Sequence, residues 1–423
     1  MNKLVAGIAA ASVVVLGLAA CSGSDGSTAS DPGEAAGEIT YAFWDPNQQP
    51  VVDAVIAAFE KEHPEVTVTP VVTPYAQYWT KLRTQASSDT LPDVFWMNMP
   101  YFQLYAANDQ LAPIDDLVES GAVDPSKYPD NLADFYRLDD VRYAVPKDVD
   151  TNAMWINKAL FEQAGVALPS PDWTYDDFRA TSAAIRDALG DQGVYGTAFY
   201  TGGQTTYYSS IFAYGGSVVT DDGTSGWAEP ETVQGLQVWA DIVADGSSPT
   251  IQQLAETTAD QWFLNGKAAM FPSIGGASIA LVGTSPNAAD YVAVPLPRAE
   301  RQATVAHALA NVVSARSEHP AAAQAFQAFL AGEQAQLLQA ESGTTLSAYE
   351  GTSDAFVRSY PDLGLQTFID AIDYSFAYPA TKDTDAWASQ EPVIVGQALA
   401  GDITVEDAAR QLDEALNAAV ASE

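Results

Sequence analysis

Strands and helices alternate where the sequence first shows a regular apolar pattern, and this alternation limits the folds open to the chain. The spacing predicts strands at Glu38–Trp44, Val66–Val72 and Leu91–Asn98, with helices at Pro50–His63 and from Ala76 towards Ser87. Strands separated by helices favour right-handed crossovers and a mostly parallel α/β sheet.

The carboxyl ends of these strands are where a ligand is expected. Open α/β sheets bind ligands beyond the carboxyl ends of their strands, and Trp44-Asp45 and Met97-Asn98 fall there. With 423 residues, of which 47% are hydrophobic, the chain exceeds what one core usually serves. Two lobes are therefore expected.

The stretch Tyr143–Phe161 is interpreted as a passage from one lobe to the other. Pro146 ends a strand-like segment because it cannot donate a ladder hydrogen bond. Asp148 and Asp150 then leave acceptors between two apolar segments, and Asn157 opens a helix. An ordinary strand–loop–strand is the alternative. A further proline-marked crossing is predicted at Ala293–Pro297, and Thr174 is predicted to cap a helix.

The N-terminus has the pattern of an export signal. Lys3 precedes an apolar run from Leu4 to Ala20 that ends in Leu18-Ala19-Ala20-Cys21. This resembles a bacterial lipoprotein signal peptide with its lipobox, which implies removal of residues 1–20 and lipid attachment at Cys21. Residues 21–37 are small and polar and predict a flexible tether. A plain signal peptide or a short membrane anchor is the alternative.

Composition excludes several classes of site. The formal net charge of −37 is dispersed along the chain and opposes binding of nucleic acid. Cys21 is the single cysteine, and the three histidines lie far apart in sequence, so no metal site is predicted. Neither a phosphate-binding loop nor a GxSxG or HExxH motif is present. No cofactor and no enzymatic activity are expected.

Several motifs occur in an order that is typical of one protein family. They are a strand that ends at Trp44, the strand Pro92–Phe95, the crossover Val145–Phe161, the segment Phe263–Ser273 and the turn Glu341–Gly343. Together they resemble the extracellular solute-binding proteins of the carbohydrate-uptake class (family 1), the capture components of ABC importers. The resemblance implies an α/β, two-lobed fold of the periplasmic-binding-protein type, with hinge-linked lobes and a ligand cleft between them.

The resemblance also implies lobe boundaries, partners and a location. Lobe 1 would comprise residues 38–147 with 302–332, and lobe 2 residues 148–301 with 333–423. The expected partners are a carbohydrate ligand, the permease subunits of an ABC transporter and, through the lipid anchor, the membrane. An extracytoplasmic monomer held at the cell membrane is expected.

A sugar site combines aromatic rings with hydrogen-bonding groups, because sugars have apolar C–H faces and hydroxyl edges. Core packing, hinge hydrogen bonds, strand bracing and simple turns are the alternative roles for such residues. Secondary candidates are Tyr75, Trp79, Trp262, Tyr378 and Trp387. The predicted ligand-binding residues are Trp44, Asp45, Tyr78, Asp93, Asn98, Asp148, Asp150, Trp155, Tyr200, Gly275, Gly276 and Glu341.

The predicted function is capture of a sugar by closure of the two lobes, and the number of aromatic residues favours an oligosaccharide. A polyamine or other small-solute binding protein of the same fold is one alternative, given the acidic composition. A lipid-anchored glycosidase that uses two carboxylates is the other. With 55 acidic residues, candidate pairs of carboxylates carry no information.

Overall fold

The alternation of strand and helix predicted at the start of the chain is confirmed by the computed structural model, which describes residues 35–422. The predicted signal peptide, Cys21 and most of the tether lie outside the described residues. The strands in chain order are β1 (Gly37–Phe43), β2 (Val66–Val72), β3 (Val94–Asn98), β4 (Arg137–Leu138), β5 (Val141–Arg142), β6 (Asp148–Val149), β7 (Asn152–Asn157), β8 (Tyr195–Thr197), β9 (Ala268–Ile274), β10 (Tyr291–Val294), β11 (Thr304–Ala306), β12 (Leu309–Val313), β13 (Leu346–Ser347) and β14 (Ser375–Ala377).

Helices connect and cover these strands. They are α1 (Gln49–Glu62), α2 (Tyr75–Ala86), α3 (Met99–Ala107), α4 (Asp115–Glu119), α5 (Asp130–Ala133), α6 (Lys158–Ala164), α7 (Tyr175–Leu189), α8 (Tyr207–Tyr214), α9 (Pro230–Ala244), α10 (Ile251–Glu256), α11 (Ala259–Leu264), α12 (Gly275–Gly283), α13 (Pro320–Leu330), α14 (Glu333–Ser342), α15 (Ser353–Ser359), α16 (Gln366–Asp370), α17 (Thr384–Ala388), α18 (Glu391–Ala400) and α19 (Val405–Val420). Thr174 caps α7 as predicted, in a reciprocal pair with Asp177.

The first sheet has the strand order β12-β3-β1-β2 and forms the centre of the first lobe. β1 runs parallel to β2 and to β3, whereas β12 is antiparallel to β3. Thr73 N donates to Phe43 O at 2.9 Å, so the carboxyl ends of β1 and β2 lie at one edge. Trp44 and Asn98 lie at this edge, as predicted from the sequence.

The second sheet has the strand order β10-β7-β9-β8 and forms the centre of the second lobe. The amino end of β7 and the carboxyl end of β9 coincide, because Asn152 pairs with Ile274. β9 continues through Pro272 to Ile274, although proline cannot donate a ladder hydrogen bond. Gly275 N donates to Thr151 O, so by alternation Pro272 occupies a position where no hydrogen bond to β7 is needed.

Three segments carry the chain between the lobes. Two of them run antiparallel, with Pro146 opposite Ala310 and Asp150 opposite His307. The third comprises α14 and β13, and β13 pairs with β6. The predicted crossing at Ala293–Pro297 is wrong, since β10 pairs with β7 and stays in the second lobe.

The buried side chains form two hydrophobic cores, one for each sheet. The first core contains Phe43, Trp96 and Phe326, and the second contains Trp155 and Trp239. The segment 114–133 contributes Ile114, Val123, Tyr128, Leu132 and Ala133 to the second core, although it precedes the first crossing. The lobe boundaries themselves stay a prediction.

Candidate functional site

Trp44 follows β1 at the edge of the first sheet where the parallel strands end, and it is the centre of an aromatic cluster. Its ring centroid lies 5.0 Å from those of Tyr78 and Trp96 and 5.5 Å from that of Tyr75. Tyr78 and Trp96 are buried, whereas Tyr75 is 53% exposed and Trp44 is half-buried. Trp44 and Tyr75 therefore present ring surface that buried aromatic residues support from below.

Helix α2 extends this aromatic surface. Tyr75, Trp79 and Arg83 follow one another at four-residue spacing, which places them along one side of the helix. The Trp79 ring stacks on that of Tyr101 in α3, with 4.0 Å between the centroids. Asn98 Oδ1 is buried nearby and accepts no hydrogen bond within residues 35–422. This face offers apolar ring surface together with a free acceptor.

Tyr378, from the second lobe, faces the aromatic surface of the first. Its ring packs against both hydrophobic cores and lies 5.6 Å from the ring of His307. Burial raises the pKa of Tyr378, with further contributions from Glu391, Tyr75 and Tyr101. The hydroxyl therefore stays protonated at neutral pH and can donate a hydrogen bond.

His307 lies on the second crossing segment and is kept uncharged. Burial lowers the pKa of this imidazole to about 4, and the charge of Asp148 only partly offsets that effect. The backbone of His307 exchanges two hydrogen bonds with Asp150, at 2.6 and 2.9 Å. His307 thus connects Asp150 of the hinge to the ring of Tyr378.

Asp150 places a carboxylate at the amino end of α12. Its Oδ1 accepts from Gly276 N at 2.7 Å, where the first amides of the helix carry partial positive charge. Burial, followed by the charge of Asp148, raises the pKa of Asp150 to about 7. A Cβ at residue 276 would lie 2.7 Å from Asp150 Oδ1, so this approach requires glycine.

An ion pair joins the lobes at the rim. Arg83 Nη2 in α2 lies 3.5 Å from Asp385 Oδ2 in α17, and the two side chains are 60% and 46% exposed. Burial raises the pKa values of Tyr75 and Tyr101, and the charge of Asp385 adds to both rises. Asp385 therefore lies beside the aromatic surface of the first lobe.

These residues define what is called the cleft from here on. It comprises Trp44, Tyr75, Trp79, Arg83, Asn98 and Tyr101 of the first lobe with Asp150, Gly275, Gly276, His307, Tyr378 and Asp385 of the hinge and second lobe. The cleft combines ring faces with donors and acceptors. Over residues 35–422, no group of histidine, cysteine and carboxylate side chains could hold a metal ion. Among the described helices, none has the length and hydropathy that a membrane span needs.

The structure brings five of the predicted ligand-binding residues together in the cleft: Trp44, Asn98, Asp150, Gly275 and Gly276. Tyr200 lies in the second lobe, where its hydroxyl donates to Asp260 Oδ1 at 2.9 Å. Glu341 is exposed on α14. Within the described residues, neither side chain forms a hydrogen bond or ion pair with a cleft residue.

Two predicted aromatic contacts are wrong because the rings are buried. Trp155 is 0% exposed in the middle of β7, and its Nε1 donates to Ser278 Oγ at 2.8 Å. Tyr78 is 1% exposed, and its hydroxyl donates to Trp96 O at 2.9 Å. Tyr78 supports Trp44, whereas Trp155 belongs to the second core.

The alternative structural roles apply to three predicted carboxylates. Asp93 precedes β3 and so lies at the opposite end of that strand from the cleft, where it accepts from Thr40 Oγ1 and Ser317 Oγ. Asp148 is buried at the hinge. It accepts from Lys147 Nζ at 2.5 Å and from Leu309 N at 2.9 Å.

Asp45 is the third of these carboxylates. It caps the short 3-10 helix Pro46–Gln48 by accepting from Asn47 N at 2.9 Å. Asp93 lies away from the cleft and Asp148 is buried, so the prediction of direct ligand contact is corrected to a structural role for these two. Asp45 is half-buried beside Trp44, and its contact with ligand stays a prediction.

Sequence reasoning missed Tyr101, His307, Arg83 and Asp385, and ranked Tyr75, Trp79 and Tyr378 only as secondary candidates. The four-residue spacing of Tyr75, Trp79 and Arg83 was a usable signal for α2. The sequence contains no such signal for Asp385, because its partner Arg83 is 302 positions away.

Comparison with known proteins identifies relatives of the chain. The family model for bacterial extracellular solute-binding proteins matches residues 45–337. A Brucella abortus protein named only as a binding protein is 27% identical over 56% of this chain and 57% of its own length. The match thus spans little more than half of that relative. The diacetylchitobiose binding protein DasA of Streptomyces coelicolor is 26% identical over 71% of both chains.

A solved structure supports the fold. The ABC substrate-binding protein from Listeria monocytogenes, solved in complex with cycloalternan, superposes with a TM-score of 0.83 at 24% identity. The superposition covers 91% of this chain and 99% of that one. At this identity, the likeness establishes the two-lobed α/β fold.

Proposed function

Since this chain belongs to the family of bacterial extracellular solute-binding proteins, we propose that it captures an oligosaccharide between its lobes for an ABC importer. The family and its structural neighbours are binding proteins rather than enzymes. In this proposal the protein performs no chemistry. Its output is the closed, ligand-loaded conformation that the permease recognises.

The observation that carries the proposal is the pairing of aromatic surface with hydrogen-bonding groups across the cleft. Trp44 and Tyr75 offer ring faces on which the apolar faces of sugar rings can lie. Asn98 Oδ1 and Asp150 can accept from sugar hydroxyls, and Tyr378 can donate. Contacts to both lobes exist only when the lobes are closed, so the ligand favours closure.

The ligands named for similar proteins support a sugar. DasA is named for diacetylchitobiose, a relative from Bacillus subtilis is named for galactooligosaccharide, and the Listeria structure contains cycloalternan. All three are oligosaccharides. They support the class of ligand, and the identity of the sugar is left to experiment.

We further propose that the protein works outside the cytoplasm and is tethered to the membrane through lipid on Cys21. The family is extracellular, and the residues Leu18-Ala19-Ala20-Cys21 match a lipobox. Mass spectrometry of the protein from its native membrane tests this proposal. An unmodified Cys21, or an N-terminus other than residue 21, would contradict it.

A thermal-shift screen tests the proposed function. The purified protein is heated with mono- and oligosaccharides, with spermidine and a metal chelator as controls. A ligand at 100 times its dissociation constant adds about 2.7 kcal/mol to the free energy of unfolding, which raises the midpoint measurably. We expect oligosaccharides of one family to raise the midpoint while remaining intact on chromatography.

The other outcomes are equally informative. A shift with spermidine alone would retain the fold and replace the sugar by a polyamine, for which Asp150 and Asp385 are the available carboxylates. Hydrolysis of the glycan would replace the binding protein by a glycosidase.

A further inference from the structure

Glu391, at the start of α18, is a buried carboxylate outside the cleft. It is 4% exposed. Its two oxygens accept from the hydroxyls of Tyr207 and Tyr208, the latter at 2.6 Å. None of the ion pairs among residues 35–422 includes Glu391. The carboxylate is therefore held by two neutral donors.

Such an arrangement is costly to the fold. A carboxylate removed from water without a cation loses much of its solvation free energy, and apolar replacements of buried charges are often neutral or stabilising. Burial raises the pKa of Glu391 to about 7, and the hydrogen bonds from Tyr207 and Tyr208 only partly oppose that rise. Stability alone does not account for a carboxylate at this position.

Tyr208 connects Glu391 to the cleft. The Tyr208 ring packs edge-on against the ring of Tyr378, with 5.6 Å between the centroids. The Tyr378 ring also packs edge-on against the ring of His307, likewise at 5.6 Å. The orientation of the Tyr208 ring therefore limits the positions that the Tyr378 ring can occupy.

The Tyr208 ring lies close to Gly203. A Cβ at Gly203 would lie 2.4 Å from the Tyr208 ring and 2.8 Å from Glu391 Oε1, so both groups occupy the space that a side chain at residue 203 would fill. Tyr208 N also donates to Gly203 O at 3.0 Å. With its hydroxyl bonded to Glu391 and its ring against this backbone, Tyr208 has little freedom to rotate.

We propose that Glu391 is a positioning residue for ligand binding: by fixing the Tyr208 ring, it holds Tyr378 in the orientation that faces the first lobe. The inference rests on the proposed function for its ligand, an oligosaccharide, and extends it to a residue that touches no ligand. Glu391→Gln keeps the shape but converts one acceptor oxygen into an amide donor, so one tyrosine hydroxyl loses its partner. Tyr208→Phe removes the same hydrogen bond from the other side.

The first test needs no ligand. Nitration by tetranitromethane is followed at Tyr378 by peptide mapping in the wild type, Glu391→Gln and Tyr208→Phe. We expect severalfold faster nitration of Tyr378 in both variants, with no change at Tyr75 in the opposite lobe. Glu229→Gln is the matched control, because Glu229 accepts from Ser217 N and Oγ in the second lobe without contacting the cleft. An unchanged rate at Tyr378 in both variants overturns the inference.

The second test is a double-mutant cycle on sugar affinity, measured by calorimetry with diacetylchitobiose and maltotriose as probes. If Tyr378 loses its orientation, its hydrogen bond to the sugar is lost, so we expect up to about tenfold weaker binding in Glu391→Gln. In a Tyr378→Ala background, Glu391→Gln should weaken binding no further. Equal losses in both backgrounds overturn the inference. If no glycan of the screen or the probe pair binds the wild type, the proposed function fails instead, and nitration still decides whether Glu391 positions Tyr378.

Discussion

The sequence predicts a sugar contact for both Trp44 and Trp155, but the two rings differ in position and burial. Trp44 is half-buried at a strand end and rests on other rings. Trp155 is fully enclosed and uses its Nε1 internally. The same residue type therefore has to be tested with two different measurements.

Trp44→Ala should weaken oligosaccharide binding by up to about tenfold, because a stacked ring contributes about 0.5–1.5 kcal/mol. Trp155→Ala should instead lower the free energy of unfolding by about 3–5 kcal/mol through a core cavity. Calorimetric titration and chemical denaturation measure the two effects. Unchanged affinity in Trp44→Ala would remove Trp44 from the site.

His307 makes stability depend on pH in a direction set by burial. The pKa is 6.5 in an ordinary histidine and about 4 in the folded protein, so below pH 6.5 the unfolded chain binds more protons. The free energy of unfolding should therefore fall relative to His307→Gln as the pH decreases from 6.5 to 4. The loss should reach up to about 3 kcal/mol, at about 1.4 kcal/mol for each pH unit.

The wild type has to be compared with His307→Gln because Asp150 and Glu391 change the free energy of unfolding in the opposite direction as the pH falls. Their raised pKa values favour the folded state at low pH, and that advantage is lost as the pH rises from about 4 to 7. Denaturation curves at a series of pH values isolate the histidine as a difference. Parallel pH profiles for wild type and His307→Gln would contradict the assignment.

At the scale of one element, α12 places its first amides against the hinge. Gly276 N meets Asp150 Oδ1 at 2.7 Å, and no side chain fits between them. The helix thereby ties the second lobe to the crossing segment that carries Asp150. Another glycine in the second lobe, Gly396 in α18, has open space around it.

Gly276→Ala and Gly396→Ala should therefore have opposite effects. Alanine at 276 would push the Asp150 carboxylate away from α12, so we expect weaker sugar binding and a lower midpoint of thermal unfolding. Alanine at 396 should stabilise the fold by about 0.5–1 kcal/mol, because alanine is the better helix former. Thermal denaturation and calorimetric titration of both variants measure the contrast. If both variants had the same midpoint and the same affinity, the close contact between Gly276 and Asp150 would matter for neither stability nor binding.

At the scale of the whole molecule, the ion pair between Arg83 and Asp385 exists only while the lobes are together. Both side chains are well exposed, so salt screens their attraction. Exposed pairs typically contribute about 0.2–1 kcal/mol. The pair therefore adjusts the balance between open and closed forms without dominating it.

Arg83→Ala should weaken sugar binding by at most about fivefold at low salt, in line with that energy. The difference from wild type should vanish near 1 M salt, where screening is strong. Arg410→Ala is the control, since Arg410 pairs with Asp407 and Glu414 in its own helix. A salt-independent loss would indicate that Arg83 contacts the ligand directly.

Local patterns predicted much of the fold and less of the cleft, for a physical reason. Apolar periodicity and the Thr174 cap depend on neighbours in sequence, and both predictions hold. β9 continues through Pro272 because that residue pairs with Met154 in β7. The position of the Tyr378 ring depends on its contacts with His307 and Tyr208. Contacts between such distant positions leave no local pattern, so burial of Tyr78 and Trp155 could not be told from exposure.

The three crossings between the lobes also constrain the order in which the protein can form. The first sheet needs β12, and Tyr41 donates to Asn311, 270 positions along the chain. Its core also includes Phe326 and Ala335. A nascent chain therefore cannot complete the first lobe until most of it has been synthesised, and such distant pairings form slowly. The newly made polypeptide should remain unfolded, and open to chaperones, for an unusually long interval.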